Sequence, residues 1–287
     1  MDSVWINAPA KINIGLDVLR RREDGYHEVK MIMQSIRLFD RLTLTKTLEA
    51  GIHLHTNLRF LPVNEDNLVY RSAKLLMDEF GIQEGVDIRL DKRIPVAAGM
   101  AGGSTDAASC MLAMNDLFQL GLSKRALMKR GVTLGADIPY CILKGTALSE
   151  GIGEKLSTIP ETPDCYVLIA KPSFHVSTKF VYTNLVLDEH TEHPDIDGMI
   201  QSMKKNDLTD LCHQMANILE TVTIPAHPEI ADIKRCMMEN GALGSLMSGS
   251  GPTVFGIFDD LDKAAFAKEK CRSLPYKCFV FVTDLYR

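Results

Sequence analysis

The 287-residue chain is first defined by what it does not contain. No apolar run approaches the ~20 residues that cross a bilayer, so no segment reads as a helical span. The start, MDSVWINAPAKINIG, has no basic stretch followed by an apolar core; no export signal is expected, and the expected location is cytoplasmic. Basic residues are not in excess. Against 37 Asp and Glu stand 32 Lys and Arg, a formal charge of −5, which gives neither nucleic acid nor a membrane surface a reason to bind. The 7 cysteines are odd in number, scattered and never in a CxxC pair. Most sit in apolar segments such as SCMLAM and CFVFV, so buried reduced thiols are expected, not a disulfide frame or a zinc knuckle. The histidine pairs in GIHLHT and EHTEHP have no neighbouring cluster to complete a ligand set, and read as strand or surface positions. Neither GxxxxGK[ST] nor GxGxxG occurs, which weakens P-loop and Rossmann assignments.

What remains is ordinary globular composition, 46% hydrophobic and 24% charged, long enough for two modest domains or one large one. VWINAPAKINIGLDVL, IRLFDRLTLT and GIHLHT read as strands from their β-branched and alternating apolar residues. A helix is predicted from Leu68 to Phe80, with Val69, Ala73, Leu76 and Phe80 on one face and Gly81 as C-cap. VDIRLDKRIP alternates again and stops at Pro95, and DAASCMLAMNDLF reads as a helix. Further on, CYVLIAKP, TVFGIF and KCFVFVTDL read as strands, and DLTDLCHQMANILE and HPEIADIKRCMMENG as helices. No regular βαβα rhythm appears, so an α+β class is expected.

The stretch RIPVAAGMAGGSTDAASC joins a strand to a helix through a glycine-rich turn. Exposed N–H groups at a helix start, with the dipole behind them, make an anion site. Gly99, Gly102 and Gly103 let a backbone approach phosphate and permit positive φ; Ser104 and Thr105 add hydroxyls able to touch a phosphate or a magnesium ion. The competing reading is a turn that merely joins two elements. Likewise Asp137 in LGADIPY alone reads as a turn or cap residue, and Lys11 in PAKIN as a surface charge.

Three blocks together resemble the GHMP small-molecule kinases: APAKINIGLDV, PVAAGMAGGSTDAA and LMSGSGPTVFG, in order and over nearly the whole chain. The lysine of PAKIN, RREDGYHE and LGADIPY are similar to those members whose acceptor is a cytidine diphosphate-linked methylerythritol, in the non-mevalonate route to isoprenoid precursors. The resemblance implies a two-domain GHMP kinase fold, with a ribosomal protein S5 domain 2-like N-terminal domain (1–155) and a ferredoxin-like C-terminal domain (156–287). It implies ATP and Mg2+ as cofactors and transfer of the γ-phosphoryl group to the acceptor's 2-hydroxyl. Lys11 and Asp137 become the expected catalytic residues. Pro95, Val96, Ala97, Ala98, Gly99, Met100, Ala101, Gly102, Gly103, Ser104 and Thr105 form the expected ATP loop, with Ser104 toward magnesium. Asn13, Tyr26, His27, Tyr182, Ser248, Gly249, Ser250 and Gly251 are expected around the acceptor. Tyr26 and Tyr182 are read as faces for the cytosine ring, with Phe180 an alternative to Tyr182 and half-buried packing the competing reading; His27 is read as a partner of the cytosine edge. A monomer or weak homodimer is expected. Another GHMP kinase with a different alcohol, or a non-catalytic member of the fold, are the alternatives.

Overall fold

The computed structural model describes residues 2–287 and divides into two compact units. The first holds the residues up to Ala10, then Leu38–Val96 and Ala101–Lys144; the second holds Lys11–Arg37, Ala97–Met100 and Gly145–Arg287. A single cut between 155 and 156 does not describe this division. The reason is that β1 (Ser3–Arg21) and β2 (His27–Thr47), strands of 19 and 21 residues, each give residues to both units.

In the first unit, β3 (Ile52–Thr56) runs parallel to β4 (Gly85–Asp91), which lies antiparallel to the second half of β2. Among the described residues the unit has four helices, of which the first two are expected from the sequence: α1 (Leu68–Phe80), α2 (Gly102–Leu117), α3 (Lys124–Gly131) and α4 (Ile138–Leu143). The α1 bounds are as predicted. Asn67 accepts the Val69 N–H, and Gly81 closes the helix at φ 61°. Val69, Ala73 and Leu76 are buried, but Phe80 is 39% exposed, contrary to its place on the predicted face. Its ring lies under the Arg130 guanidinium, which pairs with Glu79, so the last turn is held at the surface by a cation. Helix α2 begins four residues earlier than the predicted Asp106, making Gly102 and Gly103 helical residues. Its residues from Thr105 to Met111 are buried without interruption.

In the second unit, β5 (Thr146–Gly151) lies antiparallel to the first half of β2, and β6 (Lys155–Thr158) to β5. After β7 (Tyr166–Pro172) come five helices: α5 (Thr178–Asn184), α6 (Ile196–Lys204), α7 (Leu208–Gln214), α8 (Glu220–Ala226) and α9 (Glu229–Glu239). The strands β8 (Gly244–Met247) and β9 (Val254–Phe258), helix α10 (Leu261–Arg272) and strand β10 (Cys278–Asp284) complete the chain. The second sheet has the order β10-β7-β9-β8, all antiparallel, around the buried side chains of Val254, Phe255, Ile257 and Phe258. That order and the β-α-β-β-α-β connectivity match the expected ferredoxin-like arrangement.

The helix predicted over DLTDLCHQMANILE, residues 207–220, stops at Gln214 in α7, and α8 begins only at Glu220. Leu16 of β1 takes the Ile218 N–H on its carbonyl and gives its own N–H to Ala216, both at 3.0 Å, so residues 216–218 pair with a strand where a helix would continue. Tertiary pairing overrides local propensity here. Among the described residues the cysteines are all free thiols, and no cluster of three metal-ligating side chains occurs.

Candidate active site

The glycine-rich loop is set up in the first unit by a buried charge cluster that the sequence reading did not identify. Lys92, just after β4, donates to Asp40 and, at 2.7 Å, to Asp106 of α2; all three are nearly inaccessible. The other Asp40 oxygen accepts the N–H groups of Arg93 and of Ile94, the latter at 2.8 Å, and so fixes the chain immediately before Pro95. Burial opposes the Lys92 charge, but Asp106 and Asp40 outweigh it and raise its pKa. Burial pushes the Asp106 carboxyl well above the usual carboxylate range; Lys92 pulls it back and Asp40 adds to the rise. The lysine in LDKR and the aspartate in STDAA were the available signals, but only the fold shows that they meet.

At the start of α2, Ala101 adopts φ 53° and no side chain caps the helix, so its first N–H groups point out of the loop uncapped. Thr105 Oγ1, Asp106 Oδ1 and Ser109 Oγ are buried without a hydrogen-bond partner. The positive φ angles of the loop fall on Ala97, Gly99 and Ala101, not on Gly102 or Gly103 as the sequence suggested. Gly103 is bare helical surface, where a Cβ would meet only Leu68 Cδ1, at 3.7 Å; Gly102 is not, since a Cβ there would meet Ile94 Cγ2 at 3.2 Å and Lys92 Nζ at 3.3 Å.

In the second unit the centre of the loop meets the other two sequence blocks. The Lys11 N–H donates to the Met100 carbonyl at 3.2 Å, and Ser248 Oγ donates to the Gly99 carbonyl at 3.0 Å. Gly99 has φ 73°, and a Cβ there would stand 2.1 Å from the Ser248 carbonyl oxygen. Only glycine satisfies both constraints. Lys11 Nζ donates to Asn13 Oδ1 at 2.6 Å and lies 3.6 Å from where a Cβ of Gly249 would stand. Lys11 is 6% exposed, so it is not the surface charge its sequence context allowed. Asn13, expected to touch the acceptor, is fully buried, its amide spanning Lys11 and Met31 Sδ. Asn217 gives both amide hydrogens to the carbonyls of Met247 and Gly249, each at 2.8 Å. Ser250 exchanges a 2.9 Å hydrogen bond with Thr178 at the start of α5, and Gly251 is buried beside it.

Helix α5 carries Tyr182, whose ring centroid lies 5.0 Å from that of His27, tilted by 42°. Phe180 is 45% exposed. Tyr26 is 59% exposed at the tip of the β1–β2 hairpin, held by its backbone: its N–H donates to Asp24 and its carbonyl accepts from Arg22. The structure therefore pairs Tyr182 with His27 and leaves the face of Tyr26 to solvent. Partial burial, helped by the charge of Arg21, holds the His27 pKa below its ordinary value. Its imidazole is neutral at neutral pH and can both donate and accept a hydrogen bond.

Asp137 belongs to the first unit, at the N-cap position of α4, with Pro139 in the first helical turn. Its side chain makes no capping bond, so the capping role open to it in sequence is not the one it fills. It is half-buried.

Comparisons with known proteins identify the family. The GHMP kinases N terminal domain matches residues 67–145, and the GHMP kinases C terminal domain matches residues 199–277. A 4-diphosphocytidyl-2-C-methyl-D-erythritol kinase from Lachnoclostridium phytofermentans is 53% identical, covering 100% of this chain and 98% of the relative. One of the same name from Lachnospira eligens is also 53% identical, over 100% and 99%. Among solved structures, a 4-(cytidine 5'-diphospho)-2C-methyl-D-erythritol kinase superposes with TM-score 0.84 at 32% identity, over 99% of this chain and 100% of the other. A homoserine kinase from Cytophaga hutchinsonii shares the fold at TM-score 0.81 and 20% identity, over 99% and 95%. With family matches in both halves and full-length relatives above 50% identity, the chain belongs to the GHMP kinases, in the group of the 4-diphosphocytidyl-2-C-methyl-D-erythritol kinases.

Proposed function

We propose that the protein transfers the γ-phosphoryl group of ATP to the 2-hydroxyl of 4-diphosphocytidyl-2-C-methyl-D-erythritol. The observation that carries this reading is the meeting of the three blocks: Lys11 bonded to Met100, and Ser248 bonded to Gly99, in one buried seam. Kinship to the 53%-identical relatives supplies the acceptor.

Phosphoryl transfer passes through a loose transition state and demands positioning and charge neutralisation more than covalent help. The uncapped N–H groups of α2 and the open surface of Gly103 receive the ATP phosphates. Asp137 accepts the proton of the attacking hydroxyl, and the Lys11 ammonium stabilises the developing alkoxide. Asn13 orients that ammonium through its 2.6 Å bond. Magnesium prefers oxygen ligands and keeps most of its coordination for water and phosphate. Ser104, half-exposed in the first turn of α2, would hold it through its hydroxyl. When bound, the ion neutralises phosphate charge. The cytosine stacks on Tyr182 and on Tyr26 turned inward from solvent, with the neutral His27 imidazole at its edge.

A coupled ADP-release assay with 4-diphosphocytidyl-2-C-methyl-D-erythritol, homoserine and mevalonate as acceptors tests the reading. Turnover confined to the cytidine-bearing acceptor is expected. Equal or faster turnover of either plain alcohol would replace this reading with that of another GHMP kinase.

A further inference from the structure

Three consecutive residues of β1 act as a hub just beyond Lys11 and Asn13. Gly15 receives α6 so closely that an added Cβ would lie 2.5 Å from Met199 Sδ and 2.8 Å from Ile196 Cδ1. Leu16 holds residues 216–218 by two backbone bonds, and Asn217 in turn holds the carbonyls of Met247 and Gly249. Asp17, 3% exposed, accepts from His193 Nδ1, with the ring nitrogen 2.8 Å and 3.1 Å from its two oxygens.

His193 lies in the connector 185–195, which has neither helix nor strand and joins the end of α5 to the start of α6. This connector and residues 215–222 wall a cavity of about 770 Å³, so the connector is not packed down along its length. Helix α5 is thus tied at its start, by Thr178 to Ser250, and its far end leads into a segment that rests on Asp17. Tyr182 sits in the last turn of α5, on the side of that second tie.

We infer that the Asp17–His193 pair is a latch that holds the connector down and thereby keeps Tyr182 in place against His27, making His193 a positioning residue for the acceptor. The latch joins a buried carboxylate to an imidazole whose side chain is 42% exposed, so it is stronger than a contact between two surface groups but open to solvent on one side. The hub geometry gives it direction. Asp17 is fixed by the same strand that fixes Lys11, so the nucleoside end and the reacting end of the acceptor are referred to one rigid element. This role rests on the proposed acceptor reading, because Tyr182 matters only if a planar base lies on it.

The test uses the full-length enzyme with His193→Ala and His193→Asn, the latter placing an amide N–H where Nδ1 stands. In His193→Ala, KM for the cytidine-bearing acceptor should rise roughly tenfold, with kcat and KM for ATP within about twofold of wild type. His193→Asn should restore most of the loss. Cleavage by a glutamate-specific protease after Glu189 or Glu192 should speed up in the alanine variant and return toward wild type in the asparagine variant. Unchanged acceptor KM in His193→Ala, or an asparagine variant no better than alanine, would overturn the positioning role. If the wild type does not phosphorylate the cytidine-bearing acceptor, the acceptor reading falls and the positioning role with it. The cleavage rates still decide the latch itself, and equal rates in wild type and His193→Ala overturn it.

Discussion

Around Gly99 and Ser248 the structure leaves no room for one added atom, whereas around His27 and Tyr182 it offers side chains with exposed faces. The first region is built from backbone: carbonyls, N–H groups and a left-handed glycine, all in or next to buried segments. The second is built from rings on a short helix and a hairpin, half-buried or exposed. On the proposed function the difference follows from the two ligands. Phosphate is recognised by N–H groups that need close approach. A nucleobase is recognised by flat faces and a few edge contacts, which side chains supply. Damage should therefore be abrupt in the seam and graded at the aromatic side.

The largest effect on stability belongs to Gly99→Ala. Left-handed strain and the collision with the Ser248 carbonyl together should cost roughly 2–5 kcal/mol of stability, read as a lower Tm, and ATP affinity should fall with it. A variant as stable as wild type would mean that the seam yields easily, and the contrast between the two regions would fail. Next comes Tyr182→Ala. Loss of one ring face should weaken acceptor binding by roughly 1–3 kcal/mol, about ten- to a hundredfold, with ATP binding unchanged in titration calorimetry. Gly103→Val sharpens the comparison from inside the loop. The Cβ has room beside Leu68, so stability should change by no more than about 0.5 kcal/mol, while KM for ATP rises several-fold more than KM for the acceptor. A parallel rise in both constants would make Gly103 a connector residue only.

The smallest effect is the pH dependence of acceptor binding. His27 has a folded pKa lowered below 6.5, so its neutral form, and any binding that uses it, is fully present above that value and is lost as pH falls through the lowered one. The acceptor kcat/KM should be flat from about pH 8 down to the ordinary histidine range and bend downward below it. His27→Gln should flatten the acid limb.

Much of this was legible in sequence because it is local. The capped helix at Leu68–Phe80 and the alternating strands each write their geometry into a few adjacent residues. What was not legible is what the fold brings together from afar. Asp40, Lys92 and Asp106 read separately as ordinary charged positions, and only packing turns them into a buried cluster. The break between α7 and α8 is set by Leu16, roughly 200 residues away in sequence, which no propensity window sees. The positive φ angles at Ala97 and Ala101 were hidden for a related reason: alanine carries no turn signal, and the surrounding contacts impose the conformation. Tyr26 was visible as an aromatic beside a histidine, yet the hairpin turns its face to solvent while His27 meets Tyr182.

The account stands most directly on the carboxylate of Asp137 as proton acceptor. Phosphorus NMR of the reaction of ATP with 4-diphosphocytidyl-2-C-methyl-D-erythritol, run on wild type and Asp137→Asn with ATP affinity measured in parallel, isolates that role. The account predicts a new phosphomonoester signal for the wild type. In the variant its rate of appearance should be about 10²–10⁴ lower with ATP affinity unchanged. A folded Asp137→Asn enzyme that forms the phosphomonoester at near wild-type rate would contradict it.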